Sequence, residues 1–128
     1  MSEIHGKIYW SELMTRDYEG AKSFYADVCG WTYSYMDGME SMYALAHAGE
    51  DRPVAGIGDM DKMQLDGNLP PHWFTYIAVD DIDAAVAAIK SGGGSLKRDV
   101  FEVPNIGRIA IVQDPTGAVI GYIQPAAG

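Results

Sequence analysis

The sequence predicts an α+β protein made of two β-α-β-β-β modules. A shift of 64 residues lays Asp17 on Asp81, Ala21 on Ala85 and Gly30 on Gly94, so the chain reads as an internal repeat. Each copy contains one amphipathic helix pattern followed by three short β-rich runs between turn residues. Since 128 residues is the size of a single domain, the two modules are expected to form one compact domain.

Residues 17–28, "DYEGAKSFYADV", predict the first helix. Asp17 can cap its free N–H groups and Gly30 can end it. One face carries five apolar residues: Tyr18, Ala21, Phe24, Tyr25 and Val28. We therefore expect Phe24 and Tyr25 to pack in the core with Trp31, and Cys29 to be a buried, unreactive thiol.

Residues 81–90, "DIDAAVAAIK", repeat this plan. Asp81 stands at the start and three glycines follow, Gly92 to Gly94. The apolar face consists of Ile82, Ala85, Val86 and Ile89. The sequence therefore predicts a second helix of the same kind.

The predicted strands come before and after each helix. "KIYWSEL" precedes the first helix and "PPHWFTYIAV" precedes the second. The later runs are 31–36, 41–47 and 53–58 in the first half, and 95–100, 107–113 and 118–124 in the second. Turn residues such as Asp37-Gly38 and "DPTG" (114–117) separate them.

These elements divide the chain into a first module (1–59), a linker (60–72) and a second module (73–128). A four-stranded sheet with one helix covers only one of its faces. Two such modules are expected to curve toward each other and enclose a cleft, the kind of place where small molecules bind.

The composition argues against two classes of partner. Nine basic against eighteen acidic residues give a net charge of −9, which repels nucleic acid. No window of 18 consecutive residues is apolar, so no membrane span is expected. The opening "MSEIHGK" lacks the pattern of a secretory signal and there is one cysteine, so the sequence predicts a cytoplasmic protein.

Three segments resemble the vicinal oxygen chelate superfamily, which contains glyoxalases, bleomycin-resistance proteins and extradiol dioxygenases. They are "ELMTRDYEGAKSFYADVCGW" (12–31), "YIAVDDIDAAVAAIKSGGG" (76–94) and "DPTGAVIGYIQP" (114–125). The segments occur in the family's order and, with the repeat, cover nearly the whole chain. The resemblance implies the paired β-α-β-β-β fold that the patterns predict independently.

The metal-dependent members of this superfamily carry His or Glu on the first, fourth, fifth and eighth strands. By the resemblance, these positions fall on Trp10, near Gly58, on Phe74 and on Gly121. None of these side chains can ligate a divalent cation. The resemblance therefore implies a relative without the usual metal centre and without another cofactor, since no nucleotide-binding motif is present either.

If Trp10 and Phe74 occupy former ligand positions, side-chain alternation places Glu12 and Tyr76 on the same cleft-lining face. Tyr43 and Met42 are expected nearby. Glu12 can then attract a ligand cation that stacks on Trp10, or act as a general acid or base with a raised pKa. It can also be purely structural, bonded to a loop amide or a basic side chain.

Two other groups of residues leave alternatives open. His72, before the fifth strand, can hydrogen-bond a ligand or pin the linker. Several methionines can form an adaptable pocket rim or an interface between subunits. They are Met36, Met39, Met42, Met60 and Met63.

The function predicted from these features is metal-independent binding of a partly aromatic or cationic organic molecule. The predicted ligand-binding residues are Trp10, Glu12, Tyr43, His72, Phe74, Tyr76 and Gly121. The alternative is an enzyme, either a glyoxalase-type isomerase or lyase or a dioxygenase with atypical ligands, or one that uses Glu12 as a general base. A homodimer is also expected, because family members of this length often pair.

Overall fold

The computed structural model describes residues 2–63, 65 and 67–126. The elements in chain order are β1 (Ile8–Thr15), α1 (Tyr18–Cys29), β2 (Thr32–Ser34), β3 (Tyr43–His47), β4 (Ala55–Asp59), β5 (His72–Ala78), α2 (Ile82–Ser91), β6 (Ser95–Val103), β7 (Gly107–Gln113) and β8 (Val119–Pro125). This order is β-α-β-β-β twice, so the predicted α+β class is confirmed. None of the helices in the described part of the chain is long and apolar enough to cross a membrane.

The chain divides into two compact units. Residues 10–74 form what we name the N-terminal unit, and residues 1–9 with 75–128 form the C-terminal unit. The segment predicted as a linker joins β4 to β5, and His72 is the first residue of β5 rather than the last of the linker.

In the N-terminal unit the strand order is β2-β3-β4-β1, with β1 and β4 parallel and the other pairs antiparallel. α1 begins after Asp17, whose carboxylate accepts a hydrogen bond from the Gly20 N–H at 2.9 Å. It ends at Gly30, where the backbone is left-handed at φ 72°. The helix covers one sheet face through a core of Leu13, Tyr18, Ala44 and Ile57.

Two expectations about α1 are wrong. Phe24 is 57% exposed rather than in the core, and Cys29 is exposed rather than buried. The reason is that only a narrow stripe of the helix faces the sheet, so positions at the flank of the predicted apolar face remain in solvent. The Phe24 ring instead packs edge-on against Tyr25, with centroids 5.0 Å apart.

A lysine of α1, Lys22, lies among tyrosine side chains. The Lys22 ammonium lies 4.6 Å from the ring centroid of Tyr18 and 3.0 Å from the Tyr35 hydroxyl. Burial raises the pKa of Tyr18 to about 12. Burial also lowers the pKa of Lys22, but hydrogen bonds to Tyr35 and Glu19 outweigh it and leave that pKa above its ordinary value. The phenol and the ammonium therefore both stay protonated near neutral pH.

In the C-terminal unit the strand order is β5-β8-β7-β6, with β5 and β8 parallel. The Asp81 carboxylate accepts from the N–H groups of Asp83 and Ala84 at the start of α2. The apolar side of α2 packs on β7 and β8. The buried residues of this core are Val79, Ile82, Val86, Ala110 and Val112.

The registers of the two units are equivalent and follow the internal repeat to within one residue. Glu12 on β1 pairs with Gly56 on β4, and Tyr76 on β5 pairs with Gly121 on β8, both in parallel strands. Gly56, rather than the nearby Gly58, is therefore the counterpart of Gly121.

The "DPTG" hairpin between β7 and β8 is held by one carboxylate. Asp114 accepts hydrogen bonds from the N–H groups of Thr116 at 2.9 Å and Ala118 at 3.0 Å, and from the Thr116 hydroxyl at 2.7 Å. The Thr116 side chain and the Ala118 amide favour the ionised form, and the pKa of Asp114 lies below its ordinary 3.8.

We expect Asp114→Asn to lower the stability of the protein at neutral pH. A carboxyl group whose pKa is lowered by folding stabilises the folded state above its unfolded pKa, and this contribution is lost as the pH falls through the folded value. The difference between wild type and variant in urea midpoint should therefore be present at pH 7 and shrink below pH 3.8. Asp27→Asn is the control, because the Asp27 side chain is exposed and makes no hydrogen bond within the described residues. A difference that stays constant down to the lowest pH would contradict this role of the charge.

Candidate functional site

The candidate site lies on the face of the N-terminal sheet opposite α1. α1 packs on Leu13 and Ile57, and adjacent side chains of a strand point to opposite faces. Glu12 and Gly56 therefore belong to the other face, where they are direct register partners. Leu45 on β3 pairs with Gly56 and continues this row toward β2.

Three of the predicted residues form a hydrogen-bonded chain, which we name the Glu12 cluster: Trp10, Glu12 and Tyr43. The Trp10 indole N–H donates to the Tyr43 hydroxyl at 2.9 Å. That hydroxyl donates in turn to the Glu12 carboxylate at 2.5 Å. The phenol oxygen thus accepts from one neighbour and donates to the other, so its proton is directed at the carboxylate.

Burial differs along this cluster. Glu12 is 7% exposed and Tyr43 is 8% exposed, whereas Trp10 is half-buried. A carboxylate removed from water is costly unless it is hydrogen-bonded, and Tyr43 supplies one such bond. The buried Glu12 carboxyl group therefore lies beneath a surface at which the Trp10 indole ring is partly exposed.

A glycine makes room for this arrangement. A Cβ atom on Gly56 would lie 1.9 Å from the Tyr43 hydroxyl oxygen, so the phenol occupies the space above the bare backbone. The residue pattern alone did not predict this role. The available signal was a glycine inside the strand "AGIGD", since strand glycines often mark a close approach by another group.

The methionines predicted as a pocket rim or an interface pack beside this cluster. Tyr43, Met14 and Met60 are buried together. The partly buried residues around them are Met36, Met39, Met42, Leu45, Met63 and Leu65. The Tyr43 ring therefore rests against unbranched side chains that can adjust to a change in its position.

His72 and Phe74 lie together on β5, with ring centroids 6.3 Å apart at near right angles. The His72 Nδ1 is 2.8 Å from the carbonyl oxygen of Pro70. This contact ties the imidazole to the end of the linker. His72 and Phe74 are both half-buried.

Tyr76 and Gly121 belong to the C-terminal unit, where they face each other in the register of β5 and β8. Tyr76 is half-buried and Gly121 is buried. Their side of the sheet is the one opposite α2, because the next residue of β8, Tyr122, packs against the α2 core.

The four positions to which the sequence resemblance assigns the family's metal ligands offer no set of side chains that fits a metal ion. Trp10 offers only an N–H donor, which is directed at Tyr43. Phe74 and the two candidate glycines of β4 have no side-chain ligand atom, and neither has Gly121. Among residues 2–63, 65 and 67–126, no three His, Cys, Asp or Glu side chains come close enough together to hold a metal ion.

A comparison of the chain with models of protein families shows which family it belongs to. The model of the Glyoxalase/Bleomycin resistance protein/Dioxygenase superfamily matches residues 7–122, which include both β-α-β-β-β copies almost completely. The chain belongs to this superfamily. The resemblance predicted from the sequence is thereby confirmed.

Curated superfamily relatives are longer than this chain. A putative glyoxylase, CFP32, of Mycobacterium tuberculosis is 38% identical over 117 residues, which are 90% of this chain and 44% of the relative. The anthracycline biosynthesis protein DnrV of Streptomyces peucetius is 30% identical over 125 residues, 98% of this chain and 44% of the relative. The chain thus spans less than half the length of these relatives.

A solved structure shows the same superfamily fold over the whole chain. Methylmalonyl-CoA epimerase from Mycobacterium tuberculosis superposes with a TM-score of 0.66 at 18% identity. The match covers 99% of this chain and 93% of the epimerase. At this identity the likeness concerns the fold alone.

Proposed function

We propose that the protein binds a partly aromatic organic molecule at the Glu12 cluster without using a metal ion. The observation that carries this proposal is the chain from Trp10 through Tyr43 to the buried Glu12 carboxylate. The cluster includes the residue at the first family ligand position, where Trp10 presents a ring instead of a metal ligand.

The chemistry of the cluster favours a flat ligand with positive charge. Trp10 is half-buried and offers the face of the most electron-rich side chain for stacking. Glu12 adds a carboxylate whose charge is little screened by water at 7% exposure. The relative DnrV is named for anthracycline biosynthesis, and anthracyclines are polycyclic aromatic compounds.

A pair of probes tests this proposal. Proflavine is a planar aromatic cation and acridine is its uncharged parent at neutral pH. We expect the wild type to bind proflavine more tightly than acridine, and Glu12→Gln to weaken proflavine binding by about tenfold, the value of one charged contact of modest strength. Tryptophan fluorescence quenching and isothermal titration calorimetry measure both dissociation constants.

The controls separate the site from general charge effects. Gln at position 12 keeps an oxygen that can accept from Tyr43, so the variant removes charge with little change of shape. Glu50→Gln makes the same change of charge at an exposed loop position and should leave binding unchanged. If Glu12→Gln binds proflavine as the wild type does, Glu12 has no ligand role.

Independence from metal is tested on the same samples. We expect the dissociation constants to be unchanged by a chelator or by added manganese, nickel or zinc. A stoichiometric metal ion in the purified protein, or binding that requires one, would contradict the proposal.

A second candidate function is proton transfer on a small substrate. The 2.5 Å hydrogen bond between Tyr43 and Glu12 favours it, because a phenol and a carboxylate in contact can exchange a proton with a third group. The relative CFP32 is named as a putative glyoxylase, which agrees with an enzymatic role. Metal-free turnover of a glyoxalase-type substrate that is lost in Glu12→Gln would support this candidate over binding alone.

A further inference from the structure

An arginine of the C-terminal unit is turned away from the α2 core by a β-bulge. Leu96 and Val100 on β6 pack against that core. In a regular strand Arg98, midway between them, would face the same way. The register shifts here: Leu96 pairs with Val112 but Arg98 pairs with Ile111, so β6 contains one extra residue. Arg98 therefore projects from the opposite face of the sheet.

A second bulge places an aromatic ring beside this arginine. Between the Arg98–Ile111 and Phe101–Ile109 pairs, β6 advances three residues while β7 advances two. Phe101 consequently shares the face of Arg98. The guanidinium carbon lies 3.6 Å from the Phe101 ring centroid. Stacking on a ring fixes the guanidinium plane and leaves its in-plane N–H groups free to donate.

The arginine belongs to a row of residues that crosses the sheet. Arg98 pairs with Ile111, Ile111 pairs with Gly121, and Gly121 pairs with Tyr76. Gly121 adds no side chain to this row and is itself buried, so the half-buried Ile111 is the member of the row beside Arg98 that a ligand can contact. The row thus offers apolar and aromatic contacts next to a positive charge.

Within the described residues, no ion pair or hydrogen bond engages the Arg98 guanidinium, and the side chain is exposed. Arg16 and Arg108 are each paired with a carboxylate, from Asp61 and Asp83 respectively. In a protein of net charge −9, an arginine that is stacked on a ring but has no acidic partner is poised to bind an anion from outside the chain.

We propose that the Arg98–Phe101 pair binds the carboxylate of an aromatic acid, whose ring packs on Ile111. The inference goes beyond the proposed function, because it concerns an anionic group bound by the C-terminal unit, whereas the Glu12 cluster of the N-terminal unit favours a positive charge. A guanidinium fork matches a carboxylate with two parallel hydrogen bonds.

The test compares 2-naphthoate with 2-naphthamide, which have the same ring system and differ in charge. We expect the wild type to bind naphthoate about tenfold more tightly than the amide, the value of a charge-assisted contact. Arg98→Gln should abolish that preference, and Arg98→Lys should retain only part of it because lysine lacks the fork. Calorimetry and ¹H–¹⁵N NMR titration at low salt measure the dissociation constants.

Arg52→Gln provides the matched control, since it removes the same charge from an exposed position outside β6. It should leave the naphthoate preference intact. An Arg98→Gln variant that keeps the preference, or a wild type that binds neither probe or both equally at millimolar concentration, would overturn the inference. Proflavine binding that depends on Glu12 in the same preparation would show that only this inference has failed. Loss of both would remove the proposed function as well.

Discussion

Gly56→Ala is expected to lower the free energy of unfolding by about 3 kcal/mol, the upper end of the usual cost of overpacking. The new Cβ would lie 1.9 Å from the Tyr43 hydroxyl oxygen and 2.4 Å from the ring carbon that bears it, far inside van der Waals contact. The phenol must therefore leave its place above β4. Because Tyr43 is 8% exposed and packed against Met14 and Met60, it has little room to do so.

The same substitution should weaken proflavine binding, because a displaced Tyr43 no longer joins Trp10 to Glu12. Urea unfolding followed by circular dichroism gives the stability, and the proflavine titration gives the effect on the site. Gly67→Ala is the matched control: a Cβ there meets no atom within 4 Å, so it should be nearly neutral.

A second variant identifies the clash as the cause. Tyr43→Leu removes the hydroxyl and shortens the side chain, so Gly56→Ala should cost much less in that background than in the wild type. Equal costs in both backgrounds would show that the phenol is not what Gly56 accommodates.

Tyr43→Phe is expected to lower the free energy of unfolding by about 1–3 kcal/mol, the cost of removing a hydrogen-bonding group from a buried polar cluster. It removes one hydrogen bond from the buried Glu12 carboxylate and the acceptor of the Trp10 indole N–H. The shape of the side chain is otherwise unchanged, so packing against the methionines is preserved. Urea unfolding measures this loss.

A double-mutant cycle with Glu12→Leu, which removes the acceptor oxygen that Gln would keep, isolates the Tyr43–Glu12 contact from the rest of the cluster. The two single changes should show a coupling free energy of about 1 kcal/mol or more, as charge-assisted hydrogen bonds do. Trp10→Phe adds a second cycle for the indole bond. Strict additivity in the first cycle would mean that the short contact does not stabilise the folded protein.

The secondary structure could be predicted because each of its causes is local. Asp17 and Asp81 cap the helices they precede, and the apolar spacing of each helix repeats with the period of a helix turn. The internal repeat then predicts equivalent parallel pairs, and Glu12–Gly56 and Tyr76–Gly121 are such pairs, with Gly121 one residue beyond the 64-residue shift. Three of the proposed site residues, Trp10, Glu12 and Tyr43, are brought together as expected.

Other features depend on contacts that no local pattern specifies. Phe24 has the right spacing for the core but lies at the flank of α1, since how far a helix rolls on its sheet depends on the whole interface. The facing of Arg98 depends on one bulge and that of Phe101 on a second, and each bulge reverses the alternation that a strand pattern assumes. Neither outcome can be deduced from residue spacing along one element.

The sequence by itself determined the paired modules and the family, because these follow from periodicity, capping and residue type. Only the tertiary structure decided that Tyr43 bridges Trp10 and Glu12 and that Gly56 makes room for it. Those residues lie on three strands, and their meeting depends on strand register, which is fixed by the packing of both sheet faces at once.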